Sequence, residues 1–284
     1  MPTDAVFSLG GVRIGFSGRV PPLSDSSFLP QFRAEGAPDV TLELYQDADA
    51  ALDAPVIYED SFYRVHRSGE RVFAEVSAHG TLPTWGYSVL HCDERRPRLQ
   101  ILSPTCTCTL DQVLSGMMME SLLLARGRAI LHAAVTETDG RALLFTGPSG
   151  VGKSTQAALW QAHSGAAVRN GDKALLRLAD GQARVSGLPY AGTSGICERF
   201  DLPVGAIVTL RQAAQNRVER LSPAEAVKAI LSQTALQPWN ERDIQAALDL
   251  AAGLAARVPV FRLSGRPDAG AVACLERSLP WSTP

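Results

Sequence analysis

One run of the chain, Gly147-Pro148-Ser149-Gly150-Val151-Gly152-Lys153-Ser154, has the residue types and spacing that phosphate chemistry requires. Glycines let successive backbone N–H groups turn inward around phosphate oxygens, and a helix starting at the lysine adds the partial positive charge of its N-terminus. In such a loop Gly147, Ser149, Gly150, Val151, Gly152, Lys153, Ser154 and Thr155 hold the phosphates. Lys153 reaches the outer ones, and the Ser154 hydroxyl is a magnesium ligand. The expected ligands are ATP, or another nucleoside triphosphate, and Mg2+; the expected chemistry is transfer of the terminal phosphoryl group. Lysine is otherwise scarce: Lys153, Lys173 and Lys228 are the only lysines among 27 basic residues, and one of them stands in this motif.

A strand must lead into the loop and a helix must leave it. Residues 129–138 and 141–146 are apolar runs separated by Asp139-Gly140, a dipeptide that favours a two-residue hairpin turn. The strands should therefore pair antiparallel, unlike the parallel neighbours of common doubly wound nucleotide-binding sheets. Matching Thr138 with Arg141 and stepping back six residues sets His132 opposite Gly147, at the mouth of the phosphate loop. A histidine in an apolar strand is usually a satisfied core residue. This register instead makes His132 a candidate to bind a phosphate or to orient an acidic catalytic group.

Beyond the loop, residues 154–162 read as a helix ended by Gly165, then 166–169 and 174–178 as short strands and 205–210 as a longer one. Ser222-Pro223-Ala224-Glu225 is a capping box with proline at the first helical position. A helix over 240–256, a strand over 258–263 and a helix near 268–278 follow. Upstream, residues 111–125 place Val113, Leu114, Met117, Met118, Leu122 and Leu124 at helical spacing behind a candidate Asp111 cap, with Gly127 beyond. Residues 1–110 are rich in glycine, proline and alternating runs such as Val40-Thr41-Leu42-Glu43-Leu44, and 61–77 read as a hairpin around Ser68-Gly69. The expected organisation is α/β: a β-rich N-terminal domain over 1–110 and a phosphate-loop domain over 111–284.

Leu131-His132-Ala133, the Asp139-Gly140 turn, the segment from Leu143 through the loop to Ser154, and Asn170-Gly171-Asp172 together resemble the catalytic domain of HPr serine kinase/phosphorylase, whose nucleotide-binding fold is shared with ATP-dependent phosphoenolpyruvate carboxykinases. The likeness covers roughly residues 129–265 and is strongest up to Leu178. It implies that Asp172 takes the proton of an acceptor serine and helps to hold magnesium, so that Asp172, His132 and Lys153 form the catalytic set and Ser154 and Asp172 the metal ligands. Geometry would have 166–169 form a strand beside the loop strand, with the Asn170-Gly171 turn delivering Asp172 to the phosphate edge. Glu198 and Asp201 are next in line for the base.

Two departures stand out. The family usually carries two adjacent aspartates where this chain has Gly171-Asp172. A family segment rich in Glu, Arg and Gly is replaced by Pro189-Tyr190-Ala191-Gly192-Thr193-Ser194-Gly195-Ile196. That replacement is more similar to divergent kinases of peptide-modification clusters, including those that phosphorylate lasso-peptide precursors. The resemblance implies a peptide or protein acceptor, or a small-molecule hydroxyl, and gives the N-terminal domain a use in acceptor recognition.

Composition limits the alternatives. A net charge of −2 lacks the basic excess that nucleic-acid binding needs, and Arg95-Arg96 with Arg98 reads as a solvated turn. No apolar run nears the about 20 residues of a membrane span, and Met1-Pro2-Thr3-Asp4 lacks signal-peptide order, so a cytoplasmic address is expected. The five cysteines, odd in number and without metal-ligand pairing, read as structural, including Cys106-Thr107-Cys108. Homo-oligomerisation is left open. Two rival readings remain: a nucleotide sensor that binds without transferring, suggested by Gly171, and a carboxykinase-like lyase, for which Lys173 and Lys228 are the only spare lysines.

Overall fold

The computed structural model describes residues 6–18, 20–46, 54–60, 63–69, 71–76, 85–90, 98–101, 109–111, 114 and 119–281. The chain divides into two compact units, Met1–Leu122 and Leu123–Pro284. Cys92, Cys106 and Cys108, Arg95 and Arg96, and Val113, Met117 and Met118 lie outside the described residues.

Alternating apolar residues build the first unit. Strands β1 (Val6–Leu9), β2 (Val12–Gly18), β3 (Arg33–Ala34), β4 (Val40–Gln46), β5 (Val56–Glu59), β6 (Tyr63–Ser68), β7 (Arg71–Val76), β8 (Trp85–Leu90) and β9 (Arg98–Ile101) form one sheet ordered β3-β1-β2-β4-β9-β8-β7-β6-β5. Phe7, Leu9, Val12 and Ile14 are buried, as are Leu29 and Phe32 of a single 3-10 turn. Arg98, expected in a solvated turn, opens β9. Asp111 caps nothing: it lies inside helical backbone, and its carboxylate accepts Ser24 N–H at 2.9 Å and Ser27 Oγ–H at 2.5 Å. Two donors from a distant loop outcompete the capping role.

In the second unit, α1 (Met119–Leu124, begun in the first) precedes β10 (Arg128–Thr138), β11 (Arg141–Thr146), α2 (Lys153–Ser164), β12 (Ala167–Asn170), β13 (Lys173–Ala179), β14 (Gln182–Ser186), β15 (Asp201–Gln212), β16 (Arg217–Arg220), α3 (Pro223–Leu231), α4 (Glu241–Ala255), β17 (Val260–Gly265) and α5 (Ala269–Glu276). The hairpin β10–β11 turns on Asp139 and Gly140, both at positive φ (50° and 68°), the conformation an Asp-Gly turn supplies at little cost. Strand β11 then pairs parallel with β15, and β15 parallel with β17.

β10 and β15 each serve two sheets. The first half of β10 pairs with β13, and its second half with β11 on one side and β12 on the other. β15 starts against β14 and finishes between β11 and β17. The expectation that residues 166–169 lie beside the loop strand is therefore corrected: β12 pairs with β10, one strand further out, because β15 already occupies the free edge of β11.

Both faces of β11 are buried, which is why it reads as an unbroken apolar run. Leu144 joins Leu131, Val135, Leu176, Val185, Ile207 and the helices α3 and α4 on one side. Leu143 and Phe145 pack with Trp160 of α2 and Leu275 of α5 on the other. Each such side chain contributes about 1.5–3 kcal/mol by leaving water. Strand β11, which leads into the run 147–154, is thus packed on both faces. Helix α3 begins with the expected capping box, Ser222 N–H donating to Glu225 Oε2 at 3.0 Å, and Asn240 and Asp268 cap α4 and α5.

Candidate functional site

The run 147–154 leaves the buried end of β11 and wraps into the first turn of α2. Gly147, Gly150 and Gly152 have φ of 144°, 76° and 110°, values a side chain would oppose. A β-carbon on Gly150 or Gly152 would meet nothing within 4 Å, so their outer side is open. Ser149, Gly150, Ser154 and Thr155 are exposed around this concavity, and Val151 is half-buried. The first N–H groups of α2 have no partner within the helix and face it with the positive end of the dipole.

Lys153 is buried, and its Nζ folds back to donate to Gly147 O at 3.0 Å and Pro148 O at 3.1 Å. Burial holds its pKa below the usual lysine value, an effect that the charge of Asp172 opposes. Lys153 and Asp172 thus sense one another across the loop.

The antiparallel register runs from Thr138–Arg141 to Ala133–Thr146, leaving His132 as the next residue opposite the loop. Thr146 Oγ1 donates to His132 O at 2.9 Å, and His132 N–H donates to Gln233 O at 2.9 Å. On its other side His132 pairs with Lys173, and Ala133 N–H donates to Asp172 O at 2.9 Å. This backbone fixes the imidazole, whose Nε2 lies 3.4 Å from Asp172 Oδ1. Burial and then Lys153 push the His132 pKa below its ordinary value, with Asp172 pulling the other way. The ring is neutral at neutral pH. Ser154 Oγ, meanwhile, lies 3.5 Å from Gly171 O. The structure therefore brings Lys153, Ser154, His132 and Asp172 to one end of the sheet.

Asn170, which the sequence reading saw only as a turn residue, organises this corner. It is fully buried; its Oδ1 accepts Asp172 N–H (2.9 Å) and Lys173 N–H (3.0 Å), while its Nδ2 donates to Leu188 O (3.2 Å) and Tyr190 O (3.0 Å). One side chain thereby ties the Asp172 turn to the segment 188–196 that covers it. The signal was available: an asparagine two residues ahead of a key aspartate commonly holds its backbone. Lys173 Nζ sits 4.6 Å from the centre of the Tyr190 ring, a cation–π contact.

The fallback candidates are committed elsewhere. Glu198 accepts from Arg169 at 2.5 Å, and Arg169 also binds Glu137 at 2.8 Å. Asp201 pairs with Arg177 (2.7 Å) and Arg184 (3.1 Å); although burial opposes ionisation, these guanidiniums hold its carboxyl below the usual range.

Among the described residues no three His, Cys, Asp or Glu side chains cluster as a metal site. A magnesium ion that arrives with a triphosphate needs only one or two carboxylates, the rest of its shell being phosphate and water, and Asp172 with the Ser154 hydroxyl suits that donor set. No helix among the described residues is long and apolar enough to cross a membrane.

No protein-family model matches the chain, and no curated protein matches it. Among solved structures, the Hpr(Ser) kinase/phosphatase from Coxiella burnetii is similar over 51% of this chain and 84% of that one, with 14% identity and a TM-score of 0.28. This is a distant structural likeness, too slight to carry an argument.

Proposed function

We propose that the protein is a magnesium-dependent kinase of HPr kinase type that transfers the γ-phosphoryl group of ATP to a hydroxyl, with a serine in a peptide or protein as the favoured acceptor. The observation that carries the reading is the meeting of Lys153, on the phosphate loop, with the His132–Asp172 pair, whose Nε2 and Oδ1 are 3.4 Å apart. Phosphoryl transfer asks for positioning, charge neutralisation and a base near the nucleophile, and this corner offers each. Asp172 and the Ser154 hydroxyl would hold a magnesium ion, which would supply neutralisation of the phosphate charge.

The chain's own groups divide the work. Loop N–H groups and the α2 N-terminus hold the phosphates, and the Lys153 amine exchanges the carbonyls of Gly147 and Pro148 for phosphate oxygens. As the acceptor oxygen attacks the γ-phosphorus and the bond to the β–γ bridging oxygen breaks, the hydroxyl proton passes to Asp172, and ADP departs. Neutral His132 orients that carboxylate. The N-terminal sheet unit is the part we assign to acceptor recognition.

The closure of Gly171 against Ser194 favours one second reading, a sensor that binds nucleotide without transfer, because no second carboxylate fits there. Incubation with γ-labelled ATP, magnesium and candidate serine peptides separates the two: label on the acceptor supports the kinase, and binding without labelling supports the sensor. ATP with magnesium should also raise the melting temperature, and Lys153→Ala should remove most of that rise. An unchanged rise in the variant refutes the loop assignment.

A further inference from the structure

A cleft of about 410 Å³ opens on the side of the phosphate loop away from His132 and Asp172. Its walls come from the loop and α2 (Val151, Gln156) and from the carboxyl ends of β15 and β17 (Leu210, Arg211, Leu263, Arg266). These strands run parallel with the loop strand, Thr146 beside Thr209 and Leu210 beside Leu263, so their ends share one edge of the sheet with the loop. Ligands of open α/β sheets lie outside this edge. The volume falls within the range of small-molecule sites, and the lining mixes apolar walls with a few polar groups, as such sites do.

Gln156 gives the cleft chemical direction. Its side chain is 4% exposed and forms part of the lining, yet its Nε2 has no hydrogen-bond partner. An amide N–H left buried and unpaired is destabilising, and a ligand in the cleft that accepts from it relieves that cost. Trp160 Nε1, one turn along α2, is also unpaired but does not line the cleft, so Gln156 is the lining residue that carries a buried, unpaired side-chain atom.

Resting on the reading of the loop as a triphosphate cradle, we infer that this cleft takes the base and ribose of the nucleotide and that Gln156 is a specificity residue hydrogen-bonding to that nucleoside. An amide both donates and accepts, matching the paired donor and acceptor on the edge of a nucleobase. Val151, Leu210 and Leu263 supply apolar surface for the ring, and Arg211 and Arg266, both exposed at the rim, supply charge beside the phosphate nearest the ribose. The nucleotide then lies across the sheet edge: nucleoside over β15 and β17, phosphates on the loop after β11, transferable group toward His132 and Asp172 on the side of β10.

Calorimetric titration of the full chain with ATP and with inorganic tripolyphosphate, each with magnesium, tests this. The unaltered chain should bind ATP at least about tenfold more tightly than tripolyphosphate, the difference reporting the nucleoside contacts. Gln156→Met, nearly the same volume without the amide, should reduce that excess while leaving tripolyphosphate binding unchanged. Ala213→Trp, which plants an indole in the cleft from an exposed lining position, should abolish the excess and decides the matter if Gln156→Met lowers the melting temperature. Equal binding of both ligands by the unaltered chain, or an ATP excess surviving both substitutions, overturns the nucleoside site and leaves the loop intact. If the unaltered chain binds neither ligand, the loop reading and this one fall together.

Discussion

Gly171 and Ser194 interlock: a β-carbon on Gly171 would overlap the Ser194 hydroxyl and stand 2.5 Å from its Cβ. The space beside Gly171 is therefore filled by the covering segment. Gly171→Asp should unfold this corner, lowering the melting temperature and abolishing nucleotide binding. Adding Ser194→Gly should restore part of the stability. A single Gly171→Asp variant as stable as the unaltered chain would show that the cover lifts easily.

Asn170 is fully buried and makes four hydrogen bonds to backbone. Asn170→Ala takes the acceptor from the N–H groups of Asp172 and Lys173 and one donor from the carbonyls of Leu188 and Tyr190, which should cost about 2–4 kcal/mol in chemical denaturation. A loss below about 1 kcal/mol would mean that water or neighbouring backbone replaces the amide.

Asp172→Asn keeps the shape of the side chain and leaves the Asn170 bonds to the turn untouched, so folding and most ATP affinity should survive. Transfer should fall about a hundredfold or more if the carboxylate is the base. Single-turnover measurements with labelled ATP decide this. Near-normal transfer moves the role elsewhere, whereas loss of ATP binding alone makes Asp172 chiefly a metal ligand.

The depressed His132 pKa has a signed consequence for pH. Folded His132 holds its proton less tightly than the unfolded chain, so below about pH 6.5 the unfolded state binds more protons and stability falls as pH drops toward the folded value. Above that window the group contributes no pH dependence. Transfer should likewise hold down to about pH 6.5 and decline only at lower pH, as the imidazolium forms. His132→Gln should remove that dependence from both stability and rate. Profiles identical in the variant would assign the acid limb to another group.

Local signals that depend on neighbours in sequence were legible. Asp139-Gly140 announced its hairpin and, through it, the place of His132; Ser222-Pro223-Ala224-Glu225 and Gly165 marked helix ends where the structure has them. A second Asp-Gly turn, Asp180-Gly181, joins β13 to β14 by the same positive-φ geometry and could have been found the same way. Strand partners were harder. Nothing within 166–169 says that β15 will already flank β11, so the neighbour of β12 was misplaced, and β16, a polar edge strand, lacks the apolar alternation that pattern reading seeks. Asp172 nonetheless reaches the loop, because β13 pairs with β10 at His132 and Lys173, beside the Ala133–Thr146 pair that precedes the loop.

The parallel pairing of β11 with β15 bears on the order of events as the chain is made. Hairpin β10–β11 closes over two residues, but the far edge of β11 waits for Val204–Thr209, synthesised after α2 and three further strands. Contacts so distant along the chain form slowly, since the intervening loop must be closed before pairing rewards it. A ribosome-bound fragment ending near Ser186 would thus carry every residue of the phosphate loop, together with His132 and Asp172, and still lack the strand that holds the loop's entrance in place. The bracing of that entrance arrives with β15, late in the birth of the domain.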